Sequence, residues 1–151
     1  MTSARAPASL TGWVAADVDI VVPRVSGVYD YALGGFHNFA VDRDLWHAIL
    51  RAYLAARLVA WANRDFVGRA VRWLLDCGVQ QFLDLGAGIP AVEGMHDIDP
   101  AARVVYVDID PIAIDWAQHL LAGHGHAWAV HGDLRDPDED PRPGGVAARP
   151  R

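Results

Sequence analysis

Apolar residues alternate with polar ones, or run together, in three short segments of the second half of the chain. Each segment is too short for a helix, is rich in β-branched or aromatic residues, and is followed by Gly or Asp, which favours a strand. The three predicted strands are Gln81–Leu85, Val104–Asp108 and His126–His131.

A helical spacing of apolar residues separates the second strand from the third. Residues 112–122 place Ile, Leu, Trp and Ala three and four positions apart. Asp110 is a suitable N-cap, Pro111 suits the first helical position, and Gly123 predicts the end of this helix. Alternation of strands and helices predicts a Rossmann-like α/β fold with a parallel sheet of about three strands.

The first half of the chain predicts helices. Residues 42–67 contain neither Gly nor Pro and are rich in Ala, Leu, Arg and Trp. We expect Asn63 to cap a second helix and Gly78 to end it, with the helices covering the open face of the sheet. A loop containing Tyr29, Tyr31 and Asn38 is expected before them. The predicted apolar faces are Leu45, Ile49, Leu50 and Tyr53, then Phe66, Ala70, Trp73 and Leu74.

A glycine turn follows the first strand, and an acid ends the second. Gly86 and Gly88 lack a Cβ, so the turn can adopt positive φ and a ligand can approach the main chain. Asp108 comes twenty residues after Gly88, at the strand end where a carboxylate accepts hydrogen bonds from ribose hydroxyls. Pro90 predicts a helix that begins directly after the turn, with its free N–H groups facing the ligand.

The charge of Asp84 distinguishes two cofactor classes. The spacing of Gly86, Gly88 and Ala91 satisfies the dinucleotide fingerprint, so an NAD(P)-binding oxidoreductase is an alternative. A carboxylate about 6 Å from a phosphate charge costs roughly 3 kcal/mol at an effective dielectric near 20. S-adenosylmethionine has no phosphate, and its sulfonium and ammonium groups attract carboxylates. We therefore favour S-adenosylmethionine.

Two further residues complete the predicted cofactor site. Asp133 follows the third strand, where a carboxylate can accept a hydrogen bond from the adenine amine. Arg64 is the basic residue that we expect at the carboxylate of the cofactor. We name no catalytic base, since transfer to a reactive acceptor can require only proximity and alignment.

The sequence resembles the actinobacterial-type S-adenosylmethionine-dependent methyltransferases, a family formerly described as a domain of unknown function. The resemblance implies a class I methyltransferase fold and methyl transfer to an unassigned acceptor. It also implies a cofactor loop at Asp84, Gly86 and Gly88, with Asp108 at the ribose and Asp133 near the adenine. The blocks that carry it are Val28–Gly35, Asn38–Phe39, Asp42–Arg43, Ala62–Phe66, Phe82–Pro90, Arg103–Pro111 and Asp133–Pro137.

The family pattern predicts three regions, and the chain departs from the pattern in two places. We expect residues 1–22 and 138–151 to be disordered, with 23–137 forming the first part of a methyltransferase domain. The connection from Pro90 to Arg103 is about one helical turn short, and a fourth strand is absent. The first strand would then have an open edge, which predicts self-association. A truncated, non-catalytic interaction module is therefore a third hypothesis.

Composition narrows the function classes further. The 151 residues are 52% hydrophobic and 21% charged, which suits one folded domain. A net charge of −6 argues against a nucleic-acid or membrane-surface binder. Cys77 is the only cysteine, which predicts a reducing cytoplasm. We also expect its small side chain to be buried. His119, His124 and His126 read as surface residues, so we expect no metal site.

Overall fold

The computed structural model describes residues 21–90 and 94–136. Apart from Val21 and Val22, the two segments predicted to be disordered lie outside these residues. The helices are α1 (Val25–Ala32), α2 (Ala40–Ala52), α3 (Ala56–Asp76), α4 (Met95–Ile98) and α5 (Pro111–Leu120). The strands are β1 (Gln81–Leu85), β2 (Arg103–Asp108) and β3 (Ala127–His131).

The three strands form one parallel sheet in the order β1-β2-β3. Leu83 of β1 lies opposite Val105 of β2, and Val105 lies opposite Trp128 of β3. All three strands lie within a residue or two of their predicted bounds, so the α/β fold and its parallel sheet are confirmed. The carboxyl ends of the strands consequently share one edge of the sheet, where such folds bind their ligands.

One face of the sheet packs against α5. Val104 and Tyr106 of β2 lie on this face, and the fully buried Ala117 of α5 packs against them. Alanine at this contact lets the helix approach the strands closely. The predicted caps of α5 are confirmed, because Asp110 accepts a hydrogen bond from the Ile112 N–H at 3.0 Å and Gly123 has a φ of 95°.

The first three helices pack mainly on one another through a second apolar cluster. The break between α2 and α3 falls at residues 53–55, so the prediction that Asn63 caps the second helix is wrong. Tyr29 and Tyr31 lie on α1 rather than in a loop, which is a second correction. Several residues predicted to be buried are exposed, namely Leu45, Tyr53, Phe66 and Trp73. The buried residues of the cluster are Val28, Ala32, Leu33, Trp46 and Ala60.

Two further expectations about burial are wrong. Helices α1–α3 leave the other face of the sheet open among the described residues, where Leu83 is 61% exposed and Leu85 is 53% exposed. Cys77 is exposed rather than buried, although Gly78 ends α3 as predicted with a φ of 87°. No helix in the described ranges combines the length and the apolar character that crossing a membrane requires.

The described part of the connection from β1 to β2 contains one helical turn. Pro90 has no helical conformation, and α4 begins at Met95 with Gly94 as its N-cap. Asp97 accepts a hydrogen bond from the Gly94 N–H at 2.9 Å. The helix predicted at Pro90, with N–H groups directed at a ligand, is therefore not observed there. Residues 91–93 lie outside the described part of the chain.

Asp42 fixes the start of α1 beside the carboxyl edge of the sheet. Its buried carboxylate accepts hydrogen bonds from the backbone N–H groups of Arg24 and Phe39, both at 2.8 Å. A Cβ at Gly27 would lie 2.3 Å from this carboxylate, so only glycine permits the contact. One side chain thereby joins the first turns of α1 and α2.

Candidate functional site

A cavity of about 550 Å³ lies at the carboxyl ends of β1 and β2. Its walls come from α1, α3, the glycine turn after β1 and the turn after β2. Of the six residues that the sequence predicts for the cofactor site, five line this cavity: Arg64, Asp84, Gly86, Gly88 and Asp108. Its volume falls within the range of small-molecule binding sites.

The glycine turn has the conformation that its sequence predicts. Gly86 and Gly88 have φ angles of 73° and 61°, in a region that other residues rarely adopt. The N–H groups of Gly86 and Ala87 both donate to the Val107 carbonyl oxygen, at 2.8 and 3.0 Å. The turn is therefore anchored to β2, with its backbone at the cavity wall.

Asp108 is held rigidly by two backbone hydrogen bonds. The Gly88 N–H donates to Oδ2 at 2.7 Å, and the Asp110 N–H donates to Oδ1 at 2.8 Å. A carboxylate oxygen can accept more than one hydrogen bond, so each oxygen retains acceptor capacity. This geometry orients the carboxylate and leaves it able to receive a pair of hydroxyl donors.

Asp84 and Arg64 form the electrostatic centre of the cavity. Burial raises the pKa of the Asp84 carboxyl above its usual range, and this is the largest effect. The Arg64 guanidinium opposes the shift in pKa, whereas the nearby Asp108 carboxylate adds to it. A carboxylate with a raised pKa in a cavity is typical of functional sites, because both burial and like charge disfavour its ionised form.

Two residues outside the predicted cofactor set also form part of the cavity wall. Tyr29 on α1 and Asn63 on α3 both line the cavity, and the Asn63 amide donates to the Tyr29 hydroxyl at 2.9 Å. The Tyr29 hydroxyl in turn donates to the Ala60 carbonyl at 3.2 Å. The sequence signal that could have indicated Tyr29 is the Val28–Gly35 block, in which polar residues lie among apolar ones on one short segment.

Asp30 is a second missed residue of this wall. Its buried Oδ2 accepts hydrogen bonds from the His37 N–H at 2.8 Å and the Asn38 amide at 2.7 Å. Its Oδ1 has no hydrogen-bond partner among the described residues, and the His37 Nδ1 is 3.7 Å away. A Cβ at Gly35 would lie 2.0 Å from this oxygen, so Oδ1 packs against the backbone of Gly35.

Asp110 connects the cavity wall on α1 with the start of α5. The Ser26 hydroxyl donates to Asp110 Oδ2, and the Arg24 guanidinium lies 3.6 Å from Oδ1. The same carboxylate caps α5 through the Ile112 N–H. One side chain therefore sets the position of α1 relative to the sheet edge.

Asp133, the sixth predicted residue, does not line the cavity. Its carboxylate accepts two-pronged hydrogen bonds from the Arg135 side chain, with distances of 2.6 to 3.0 Å. These bonds lower the pKa of Asp133 to about 2. The predicted adenine contact would therefore have to form beside an existing ion pair.

The family described as S-adenosyl methyltransferase matches residues 11–142. Two crystal structures are similar to the chain. A proposed methyltransferase from Thermobifida fusca YX is 39% identical over 80% of the chain, with a TM-score of 0.75. A DUF574 family protein from Streptomyces avermitilis MA-4680 is 38% identical over 76%, with a TM-score of 0.70.

The chain spans about half the length of these solved structures, since 47% of each is covered. No curated protein matches it with significant similarity. The matches give no support to the dinucleotide alternative. A family match over most of the chain, together with two similar folds, confirms the resemblance that the sequence blocks predict. The chain belongs to the S-adenosyl methyltransferase family.

Proposed function

We propose that the chain binds S-adenosylmethionine in the strand-end cavity and supplies the cofactor side of a methyltransferase. The observation that carries the proposal is the convergence of the glycine turn, Asp84 and Asp108 on one cavity. The family match supports the same cofactor. The acceptor is unassigned.

The charges of the cavity favour this cofactor over a dinucleotide. Asp30, Asp84, Asp108 and Asp110 provide four carboxylates, against the guanidinium groups of Arg24 and Arg64. S-adenosylmethionine carries a net positive charge, and it would be attracted where a pyrophosphate would be repelled.

Each predicted residue has a proposed role. Asp108 accepts hydrogen bonds from the ribose hydroxyls, and Asp84 neutralises the ammonium group. Arg64 pairs with the carboxylate of the cofactor, while Asp133 contacts the adenine amine. The glycine turn lets the ligand approach the main chain.

The cofactor, when bound, supplies an electrophilic methyl group on its sulfonium. The residues of the chain bind and orient this group, which lowers the entropic cost of transfer to an acceptor. Among the described residues β1 pairs only with β2, and we further propose that two copies of the chain associate at its other edge. The exposed single thiol of Cys77 is compatible with the reducing cytoplasm that the sequence predicts.

Isothermal titration calorimetry with S-adenosylmethionine tests the proposal. Asp108→Ala should bind at least tenfold more weakly, because hydrogen bonds to a charged group contribute about 1.5 to 3 kcal/mol each before water competes. Asp108→Asn keeps one acceptor oxygen and should show a smaller loss. Asp44→Ala is the matched control, since Asp44 is an exposed residue of α2 outside the cavity.

Two results would contradict the assignment. One is equal affinity of the wild type and both Asp108 variants when circular dichroism shows that all are folded. The other is tighter binding of NAD than of S-adenosylmethionine or S-adenosylhomocysteine.

A further inference from the structure

A second cluster of polar side chains lies at the amino ends of the strands, away from the cavity. His96 and Asp97 belong to α4, and His124 lies in the loop between α5 and β3. One potential ligand atom from each of the three lies within 4.8 Å of the others. The Nε2 atom of His96 is 3.6 Å from Asp97 Oδ1, and the ring centroids of His96 and His124 are 5.1 Å apart.

His96 is held in one orientation by its surroundings. Its side chain is only 6% exposed, and its Nδ1 lies 2.8 Å from the Tyr106 hydroxyl. A Cβ at Gly94 would lie 2.3 Å from the Cε1 atom of His96, so glycine is needed to admit the imidazole ring. When Nδ1–H donates to Tyr106, Nε2 has a free lone pair directed toward Asp97.

The arrangement around His96 is typical of metal-binding histidines. Such a residue usually donates its second ring N–H to a fixed acceptor, which sets the tautomer and the ring orientation. Tyr106, a buried residue of β2, can provide that acceptor here, because its hydroxyl lies 2.8 Å from Nδ1. His126 adds a further bond by donating from Nε2 to the His96 carbonyl at 3.2 Å, so α4 and the loop before β3 are already joined.

We propose that His96, Asp97 and His124 form a binding site for a zinc ion. Two imidazoles and one carboxylate suit Zn²⁺, whereas Mg²⁺ and Ca²⁺ prefer oxygen ligands alone. Zinc ligands at about 2.0 to 2.2 Å from the metal lie closer together than the observed spacing. The exposed Asp97 and His124 side chains can make this adjustment around the fixed His96 ring.

The position of the site assigns it a structural role. None of its three ligands lines the cavity at the carboxyl edge of the sheet. The ion would instead tie the single turn of α4 to the loop before β3. A metal at this place would stabilise the short β1–β2 connection. The sequence grouped His124 with His119 and His126, and it could not indicate His96 because that residue is distant along the chain.

Calorimetric titration of the full chain with ZnCl₂ tests this site, using protein that has no histidine tag and has been freed of metal by chelation. We expect binding of one ion per chain and a rise in melting temperature. His124→Ala should weaken binding at least tenfold, and Tyr106→Phe about tenfold through loss of ring orientation. His119→Ala is the matched control, because His119 is an exposed histidine of α5 outside the cluster.

Titration with Co²⁺ in place of Zn²⁺ gives an independent measurement of binding, since Co²⁺ in a tetrahedral site has strong visible absorption. The proposal is wrong if the chain binds no zinc at one equivalent, or if His124→Ala binds as tightly as the wild type. It is also wrong if His119→Ala weakens binding as much as His124→Ala. His124→Gln serves as a second variant, and S-adenosylmethionine binding by each variant reports separately on the cavity.

Discussion

At the scale of single residues, Asp84 destabilises the ligand-free fold when it is ionised. Its proposed role in cofactor binding explains why a carboxylate lies there. Its folded pKa is raised above the ordinary value, so the group favours folding when it is protonated. The protonated Asp84 contributes its full stabilisation when the pH is below the pKa of this group in the unfolded chain. The stabilisation is lost as the pH rises through its pKa in the folded chain. Above its folded pKa, the ionised Asp84 therefore lowers the stability of the ligand-free chain.

We predict opposite effects of Asp84→Asn on stability and on binding. The variant should melt at a higher temperature than the wild type at pH 7, and the difference should shrink toward pH 4. Its affinity for S-adenosylmethionine should fall roughly 10-fold or more, because a charge-assisted contact of about 1.5 to 3 kcal/mol is lost. Thermal melts between pH 4 and 8, with calorimetry at pH 7, measure both effects.

Asp44→Asn is the control for this prediction, since it makes the same change at an exposed position of α2. It should alter neither the pH dependence of melting nor cofactor binding. A lower melting temperature of Asp84→Asn at pH 7 would show that the carboxylate stabilises the ligand-free fold, contrary to the expected sign.

The sequence indicates residues of the site only where local rules place them. Asp108 could be predicted because a strand end and a glycine turn twenty residues earlier fix its position. Asp30 and Ser26 could not, because their place at the cavity depends on how α1 packs against the sheet edge. Asp133 was expected among the site residues, yet its neighbour Arg135 binds the carboxylate outside the cavity.

At the scale of elements, Asp110 joins two helices that are distant in sequence. It caps α5 through the Ile112 N–H and accepts a hydrogen bond from Ser26 at the start of α1. Asp110→Ala should destabilise the chain by about 1 kcal/mol through loss of the cap, with an additional loss from the contact with α1. Thermal melting measures the sum.

Hydrogen exchange separates the two contributions of Asp110. Amides of α1 should exchange faster in Asp110→Ala, because that helix loses its tie to the sheet edge. Ser26→Ala removes the hydroxyl contact and leaves the cap and the Arg24 contact intact, so only α1 should exchange faster, and by less than in Asp110→Ala. Unchanged exchange in α1 for both variants would mean that Asp42 alone positions the helix.

The elements that have local sequence signals at their ends were predicted correctly. The boundaries that depend on tertiary packing were not. The strands and α5 have clear periodicity, with Asp, Pro and Gly at their ends. The break between α2 and α3 has no Gly or Pro, and it occurs because Trp46 and Ala60 both pack on α1. Helix propensity cannot indicate such a turn, since tertiary contacts override it.

At the scale of the whole molecule, apolar surface is exposed on the sheet and on α3. Leu83 and Leu85 face outward from β1, and Trp61, Phe66 and Trp73 are exposed along α3. Large exposed apolar areas usually mark an interaction surface. The chain covers 47% of each similar crystal structure, so those proteins have further residues available to cover such a surface.

The edge of β1 is where we expect a second copy to bind. Within residues 21–90 and 94–136, β1 pairs only with β2, so its other edge presents unpaired N–H and C=O groups. An exposed apolar strand edge is a template for pairing with another chain. Light scattering should therefore show a dimer or larger species of the purified chain.

Leu83→Lys should shift this species toward the monomer, because a charged side chain on an edge strand opposes pairing with a neighbour. Leu54→Lys is the matched control, since Leu54 is 83% exposed but lies between α2 and α3, away from the strand edge. It should leave the association unchanged. Equal behaviour of the two variants would place the contact elsewhere on the surface.

Methyl transfer depends on the same edge. In doubly wound folds the ligand crevice lies between the carboxyl ends of neighbouring strands, and within the described part of the chain β1 has a neighbour on one side only. An acceptor would lack one wall of its pocket, and alignment contributes several kcal/mol, up to roughly 7 to 11, to lowering a barrier. We therefore predict that the purified chain binds S-adenosylmethionine but transfers no methyl group to candidate acceptors in a radiolabel assay. A stable monomer that methylates an acceptor would contradict this prediction and would show that three strands are sufficient for catalysis.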